Sequence, residues 1–329
     1  MKIIASAGRH DIAVVYIGEL RDARRVEFVE AVQPPAPRED KWILLVSTMC
    51  GCPVGCKMCD AGGSFRGNLS QQDIFEQIDA LIRMRFPDGR IPVRQLKIQF
   101  ARMGEPALNP EVLDVVEELP SRYRVPGIMP SISTIAPEGT DGFFERLLAI
   151  KKEHFSGGRF QLQFSIHSTD ESRRRDLIPV ETWDFSRMAE YGKRFYEAED
   201  RKITLNFALA ENSPLDPDVL LNYFNPDRFL VKITPLNPTY RAREHGLSSY
   251  IDPARAGDKY DVLTRLKNAG YTVILSLGEL EESLIGSNCG QYLRRHFEAA
   301  ERLADGYTYR LIKRRTKMPI IRLEKGGCA

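Results

Sequence analysis

Three cysteines at spacings of four and three residues stand in the stretch Cys52-Pro-Val-Gly-Cys56-Lys-Met-Cys59. Thiolates spaced in this way can wrap one face of a four-iron, four-sulfur cubane and leave the fourth iron open for a ligand. Several glycines in and around the stretch let the chain turn tightly around a bulky inorganic group. The sequence therefore predicts Cys52, Cys56 and Cys59 as metal ligands.

A structural zinc site is the alternative interpretation, with Cys50 completing a four-cysteine set. Zinc knuckles usually pair two Cys-x-x-Cys units, and in this stretch Cys56 and Cys59 alone have that spacing. The ligand spacing therefore favours the cluster over zinc.

Outward from the cysteines, apolar strand-like runs alternate with segments of helical period. Repeated strand–helix units favour a parallel α/β sheet curled into a full or partial barrel, whose active site lies at the carboxyl ends of the strands. We predict a barrel over residues 41–290, a short strand-containing extension over 1–40, and a helix with a basic tail over 291–329. The predicted strands are 42–47, 95–101, 128–134, 160–165, 203–208, 229–234 and 271–277.

Helix starts are indicated by local signals. Ser70 and Asp73 match a capping box, Pro110 suits the first position of a helix that begins near Asn109, and Asp141 is expected to cap the next one. Further helices are predicted over 185–198, 216–223 and 254–269.

Composition excludes several classes of protein. A formal net charge of +2 over 329 residues does not suit a chain built to coat a polyanion, although residues 294–295 and 313–315 are locally basic. No apolar run is long enough to span a membrane, and six cysteines are too few for a disulfide scaffold in a chain of this length. We expect a cytoplasmic protein without a membrane partner.

The cysteine stretch resembles the signature of the radical S-adenosylmethionine (SAM) superfamily, Cys-x-x-x-Cys-x-x-Cys after the first strand of a partial (β/α)6 barrel. Met58 stands where the family usually has an aromatic residue. The resemblance implies a [4Fe-4S] cluster, S-adenosyl-L-methionine as cofactor, and an electron donor such as flavodoxin or ferredoxin.

Within that superfamily, residues 40–295 most resemble the RlmN and Cfr group of RNA adenosine methyltransferases. The matching segments include Met103-Gly104-Glu105-Pro106 and Ser165-Ile166-His167. Taken alone, His167 would more often be a core residue, and Asn237, which precedes a proline, would more often be a turn residue. The order and spacing of the segments favour a SAM site, for which the resemblance implies Gly104, Glu105, Ser133, Ser165, His167 and Asn237.

Cys289 lies in Ser287-Asn288-Cys289-Gly290-Gln291, which resembles the group's Ala-Cys-Gly-Gln segment. In that group the cysteine takes a methyl group from one SAM, a 5′-deoxyadenosyl radical from a second SAM abstracts hydrogen from it, and the resulting radical adds to the substrate carbon. The resemblance thus implies Cys289 as the methyl carrier. A buried small apolar residue is the alternative.

Two departures from the group concern product release and substrate. Leu45 occupies the position of the group's second, resolving cysteine, and leucine cannot act as a nucleophile. Cys50 or Cys328 could replace it as a thiolate, although Cys50 could equally be a packing residue and Cys328 an incidental terminal thiol. About forty residues precede the first barrel strand, where the RNA methyltransferases carry an accessory domain.

The sequence as a whole therefore predicts a radical SAM methyltransferase that acts on an sp2 carbon of an RNA base or a small-molecule ring. Direct hydrogen abstraction without methyl transfer is the first alternative, and a non-catalytic iron–sulfur or zinc protein is the second.

Overall fold

One eleven-stranded sheet organises the protein. The computed structural model describes residues 1–255, 260–278 and 280–313. The spatial order is β10-β9-β8-β7-β6-β5-β4-β3-β2-β1-β11, so sequence neighbours from β1 to β10 pair in the sheet. The strands are β1 (Lys2–Arg9), β2 (Ala13–Glu19), β3 (Arg25–Ala31), β4 (Lys41–Val46), β5 (Gln95–Phe100), β6 (Gly127–Thr134), β7 (Gln161–Ser165), β8 (Ile203–Leu209), β9 (Phe229–Pro235), β10 (Val273–Leu275) and β11 (Ile312–Lys313).

The sheet has a parallel and an antiparallel part. Strands β4 to β10 are parallel to one another, as strands joined by crossover helices must be, whereas β1 to β4 and β11 pair antiparallel. The predicted α/β partial barrel is thereby confirmed. The helices are α1 (Gln71–Arg85), α2 (Glu111–Arg122), α3 (Asp141–His154), α4 (Glu171–Leu177), α5 (Phe185–Phe195), α6 (Pro217–Leu221), α7 (Tyr240–Glu244), α8 (Asp261–Asn268), α9 (Leu280–Ile285) and α10 (Leu293–Glu298).

Alternation along each strand separates an apolar outer face from an inner face. Trp42, Leu44 and Val46 of β4 are fully buried in the core beneath the helices. The residues between them point to the other side, because successive side chains of a strand face opposite ways. The outer face of the sheet thus packs against the helices and forms the hydrophobic core with them. The inner face of the sheet is left to line a site.

Residues 1–40 extend the sheet instead of forming a separate layer. Val15, Val29 and Ile43 pack on the inner side against Leu293 and Tyr307 of the C-terminal segment. This segment, residues 280–313, therefore covers the inner face of β1 to β4 and leaves that of β5 to β9 to the site. The division of the chain at residues 40 and 290 stays a prediction.

The predicted helix starts hold in part. Asp73 N donates to Ser70 Oγ at 3.1 Å and Ser70 N to Asp73 Oδ2 at 3.2 Å, so the capping box at α1 is confirmed. Pro110 is the N-cap of α2, not its first residue. The side chain of Asn109 donates from Nδ2 to Thr48 O at 2.7 Å and to Leu69 O at 2.9 Å, which holds Asn109 in extended chain before the helix.

Other predicted boundaries differ from the structure. Asp141 is the first residue of α3, whose N-cap is Thr140, so the prediction that Asp141 caps the helix is wrong. The short helix α4 was not predicted, and the predicted helix over 254–269 begins, within the described residues, at Asp261. In the described ranges no helix is both long and apolar enough to cross a membrane.

Candidate active site

The cysteine loop follows β4 and is held from three other parts of the chain. Asp60 N donates to Gly290 O at 2.9 Å, which fixes the loop to the segment that contains Cys289. The Asp60 carboxylate accepts from Tyr240 N at 3.2 Å, Arg241 N at 2.9 Å and Tyr307 OH at 3.2 Å. Burial raises the pKa of Asp60, which these hydrogen bonds counteract.

Arg241 holds the same loop through its backbone carbonyls. Its Nε donates to Cys56 O at 3.0 Å and its Nη2 to Gly55 O at 2.9 Å. Thr239 Oγ1 donates to Met58 O at 3.1 Å. The start of α7 therefore sets the shape of the loop between its second and third predicted ligands.

The three thiols of the loop are free and half-buried. Burial raises the pKa of Cys52 to about 11, and burial together with the neighbouring cysteines raises those of Cys56 and Cys59 further. The mutual effect indicates that the three thiols face one space. A Cβ on Gly55 would meet nothing within 4 Å, so there is open space beside the loop.

A cationic group bound by sulfur would suit this set, because buried thiols become thiolates when a metal compensates their charge. No group of three His, Cys, Asp or Glu side chains in the described ranges is arranged to hold a metal ion. The prediction that Cys52, Cys56 and Cys59 bind a cluster therefore rests on the motif, the free thiols and the open loop, and it stays a prediction.

Glu105 follows β5 and is buried. Its carboxylate accepts hydrogen bonds from Thr134 Oγ1, from Ile135 N at 3.0 Å and from Ala107 N at 3.0 Å. Burial raises its pKa to about 7 despite these donors. Its negative charge also raises the pKa of Cys52, so Glu105 lies on the side of the cysteine loop. A buried carboxylate without a cationic partner is a suitable acceptor for an ammonium group.

The glycine before Glu105 brings two strand ends close together. Gly104 has φ of 102°, and a Cβ there would lie 2.6 Å from Thr48 Oγ1 and 2.6 Å from Met49 Cγ. A side chain at this position would push the chain after β5 away from the start of the cysteine loop. Glycine is therefore required for the close approach.

Three other predicted SAM residues lie at or just after the ends of β6 and β7. Ser133 Oγ accepts from Gln163 Nε2 at 3.2 Å, and Ser165 is paired with Asn206 across β7 and β8. His167 has a positive φ of 64°, and its Nδ1 accepts from Ala208 N at 3.0 Å. Burial lowers the pKa of His167 to about 4, so the neutral ring keeps its proton on Nε2, which is free to donate to a ligand.

Cys289 is exposed to solvent, yet it lies in a recess. Enclosure by protein raises its pKa, whereas the positive charges of Lys232 and Arg102 lower it. A Cβ on the adjacent Gly290 would lie 2.8 Å from Met58 O, so the Cys289 segment packs directly on the cysteine loop. Asn237 Nδ2 donates to Cys289 O at 2.9 Å, which brings two residues predicted for the site together.

Arg102 and Glu27 complete the site and were missed by the sequence analysis. Their side chains form a buried ion pair at 3.0 Å. Arg102 also donates to Gly286 O at 3.0 Å and to Ser287 O at 3.2 Å, so it holds the turn that leads to Cys289. The one signal in the sequence is a charged residue directly after an apolar strand.

The resolving position, Leu45, and the two thiols that could replace its cysteine, Cys50 and Cys328, are placed as follows. Leu45 is on the inner face and packs against the C-terminal segment. Cys50 is fully buried in the outer core, and its Sγ donates to Arg25 O at 3.3 Å, which supports the packing interpretation. Cys328 lies outside the described residues, as do Arg314 and Arg315.

A cavity of about 800 Å³ opens beside Asn237, between the chain that follows β9 and the C-terminal segment. Leu236, Pro238 and Leu284 give its wall an apolar part, and Ser248 and Asp305 a polar part. Because Asn237 also contacts Cys289, the cavity lies next to the recess of the candidate active site.

Comparison with known proteins identifies relatives along most of the barrel, although no family model matches. A probable dual-specificity RNA methyltransferase RlmN of Prochlorococcus marinus (strain NATL2A) is 28% identical over 186 residues, 56% of this chain and 49% of the relative. The dual-specificity RNA methyltransferase RlmN of Wolinella succinogenes is 26% identical over 266 residues, 76% of this chain and 70% of the relative. The chain thus spans about half the length of the first of these relatives.

The fold has a solved counterpart. A radical SAM methyltransferase from Sphaerobacter thermophilus superposes with a TM-score of 0.66 at 20% identity, covering 88% of this chain and 81% of that one. This similarity shows the fold. Together with the sequence relatives it confirms the resemblance of this chain to radical SAM, RlmN/Cfr-like proteins.

Proposed function

We propose that this radical SAM, RlmN/Cfr-like protein is a methyltransferase that modifies an sp2 carbon of its substrate through a methylated Cys289. The observation that carries the proposal is the position of Cys289, since the adjacent Gly290 packs on Met58 of the cysteine loop. The substrate is an RNA base or a small-molecule ring, and the relatives named RNA methyltransferases support the first of these.

The predicted site residues would then divide into three tasks. Cys52, Cys56 and Cys59 would hold the cluster. The cluster would supply the electron for reductive cleavage of SAM, and SAM would supply the methyl group. Glu105, with Gly104 beside it, would bind the SAM ammonium group. Ser133, Ser165 and His167 would contact the ribose and the carboxylate, to which the neutral His167 can donate from Nε2. A flavodoxin or ferredoxin would supply the electron.

Cys289 must lose its thiol proton before its sulfur can bind a carbon atom. Enclosure in the recess opposes this loss, because it raises the pKa of the thiol. The positive charges of Lys232 and Arg102 favour the thiolate, and Arg102 also holds the preceding turn in place. Asn237 fixes the carbonyl of Cys289 and so orients the residue.

A second candidate function is direct hydrogen abstraction from the substrate without methyl transfer. The observation that favours it is the absence, among the described residues, of a second thiol facing Cys289 from the resolving position. Leu45 is packed in a cluster and Cys50 is buried in the core. Under methyl transfer, release of the product through a disulfide would need Cys328, or release would follow another mechanism.

Product analysis of SAM turnover distinguishes the two functions. We expect cluster-loaded, anaerobic wild type with a reductant to give S-adenosylhomocysteine, methionine and 5′-deoxyadenosine. Cys289→Ala should lose S-adenosylhomocysteine, and Cys50→Ala, the matched control, should keep all three. Wild type that gives methionine and 5′-deoxyadenosine but no S-adenosylhomocysteine would favour direct hydrogen abstraction.

A further inference from the structure

Lysines are the charged residues on the inner face of the barrel. The strands β4 to β9 contain no aspartate or glutamate, and their three charged residues are Lys41, Lys97 and Lys232. All three alternate with the outer core residues and therefore face inward. The rest of the inner face of β5 to β9 consists mainly of uncharged polar side chains, such as those of Gln99, Gln163 and Asn206.

Lys97 is the most enclosed of the three. Its side chain is 6% exposed, and it lies between Ile43 of β4 and Met129 of β6 in the register of the sheet. Burial, together with the positive charges of Lys41, Lys232 and Arg201, lowers its pKa to about 7. An enclosed ammonium group surrounded by like charges is costly unless an anion neutralises it.

Lys232 faces Lys97 across the barrel. Three strands separate β5 from β9, which is about 19 Å along a flat sheet. The positive charge of Lys232 nevertheless lowers the pKa of Lys97. The curl of the sheet thus turns the two side chains toward one space. The negative charges of Cys289 and Glu282 raise the pKa of Lys232, so Lys232 also lies near these two residues.

Both lysines lie below the carboxyl ends of their own strands. Each stands three residues before the carboxyl end of its strand, Phe100 or Pro235, which is about 10 Å of extended chain. Lys232 is in register with Asn206, and Asn206 with Ser165. The phosphates of an RNA strand whose base reached Cys289 would remain at the mouth, whereas a small molecule could place an anionic group below its reacting carbon.

We propose that Lys97 and Lys232 bind a phosphate or carboxylate group of a small-molecule substrate inside the barrel, below Cys289. The proposal rests on the function proposed above and narrows its substrate to a small anionic compound. Gln163 and Asn206 supply amide groups along the same face, and Lys41 extends the positive charge toward the amino ends of the strands.

Equilibrium dialysis with cluster-loaded, SAM-saturated protein tests the proposal. The probes are inorganic phosphate, succinate and a short single-stranded RNA. We expect one saturable site for phosphate or succinate, and their relative affinities identify which anion the site prefers. Lys97→Gln and Lys232→Gln should each weaken binding about ten-fold or more, because a charge-assisted hydrogen bond is lost. Lys97→Arg should keep most of the affinity.

Lys193→Gln is the matched control, because Lys193 is an exposed lysine on the outer helix α5. It should bind the anions as wild type does. Thermal unfolding and SAM affinity, measured for every variant, show whether the fold and the cofactor site are intact. Lys97→Met should unfold at the same or a higher temperature than wild type, because it removes an unpaired buried charge.

Equal anion affinity of wild type, Lys97→Gln and Lys232→Gln would overturn the proposal, as would the lack of saturable anion binding. RNA binding that falls in both variants, with no binding of the small anions, would overturn the small-molecule assignment. Cys289 methylation is measured on the same samples. Anion binding without methylation contradicts the proposed methyl transfer alone, and methylation without anion binding contradicts this inference alone.

Discussion

Glu105 has a carboxylate whose protonation decides whether it can bind an ammonium group. Its pKa is raised to about 7, so the group is increasingly neutral as the pH falls below that value. A neutral carboxyl attracts an ammonium group far less than a carboxylate does. We therefore expect the affinity for SAM to rise as the pH increases from about 6 to 8, measured by equilibrium dialysis with cluster-loaded protein.

Thr134→Val provides the control for this pH dependence. It removes a donor to the Glu105 carboxylate, and loss of that hydrogen bond raises the pKa further. The rise in SAM affinity should then shift to higher pH. Glu105→Gln should bind SAM weakly at every pH, and a steep pH dependence in that variant would show that another group is responsible.

The ion pair between Arg102 and Glu27 shows why part of the site was not predictable from sequence. The motif around Cys52 is local, so its spacing is visible in the chain. Arg102 and Glu27 are 75 residues apart, and the turn they hold lies a further 184 residues beyond Arg102. No local pattern connects these three segments; the folded sheet brings them together.

Breaking this ion pair should be strongly destabilising. In Glu27→Gln, Arg102 remains buried without its counter-charge, and the first amides of α10 lose an anionic acceptor. We expect a loss of about 3 to 5 kcal/mol in the free energy of unfolding, measured by denaturant titration. Glu117→Gln, which affects an exposed pair with Arg146, should change it by less than about 1 kcal/mol. Equal effects of both changes would contradict the role given to Glu27.

The turn between Cys289 and α10 depends on Gly290, which packs against the cysteine loop. Gly290 has φ of 84°, and a Cβ there would lie 2.8 Å from Met58 O. Gly290→Ala should therefore lower the rate of Cys289 methylation and the unfolding temperature. Gly246→Ala is matched in backbone, with φ of 61°, but its Cβ would meet nothing within 4 Å. It should cost about 1 kcal/mol of backbone strain and leave methylation unchanged.

Helices and strands were predictable where a local signal agrees with the tertiary structure. The capping box at Ser70 is one such case, because it stabilises α1 regardless of neighbours. The start of α2 differs from the prediction because the side chain of Asn109 donates hydrogen bonds to two distant carbonyls. Helix α4 was not predicted because Glu171–Leu177 is a short helix between two loops. Tertiary contacts of this kind leave no periodic pattern in the chain.

At the scale of the whole molecule, the cysteine loop connects three distant segments. Asp60 bonds to Gly290, to Tyr240 and Arg241, and to Tyr307. Removing the iron with a chelator should therefore lower the hydrogen-exchange protection of the loop and of the Tyr240 and Arg241 amides together. The β2–β3 amides should keep theirs, since they bond within the sheet.

Two outcomes would contradict that expectation. Loss of protection confined to the loop would show that the segments are not coupled, and equal loss in β2 and β3 would indicate global unfolding. Reconstitution with iron and sulfide should restore the original pattern.

The parallel half of the fold could be predicted from sequence, because each unit carries its own strand and helix pattern. The three antiparallel strands of residues 1–31 were expected as a short extension, and their pairing with β4 and β11 depends on long-range register. The inner face was the least visible feature. Lys97 and Lys232 are 135 positions apart and meet through the curl of the sheet.

The central claim is that Cys289 carries a methyl group, and peptide mass spectrometry tests it most directly. Wild type, Cys289→Ala and Cys50→Ala are loaded with cluster, incubated anaerobically with SAM and digested. The account predicts one added methyl group on the peptide containing Cys289 in wild type and in Cys50→Ala, and none in Cys289→Ala. An unmodified Cys289 in cluster-loaded wild type that cleaves SAM would contradict it.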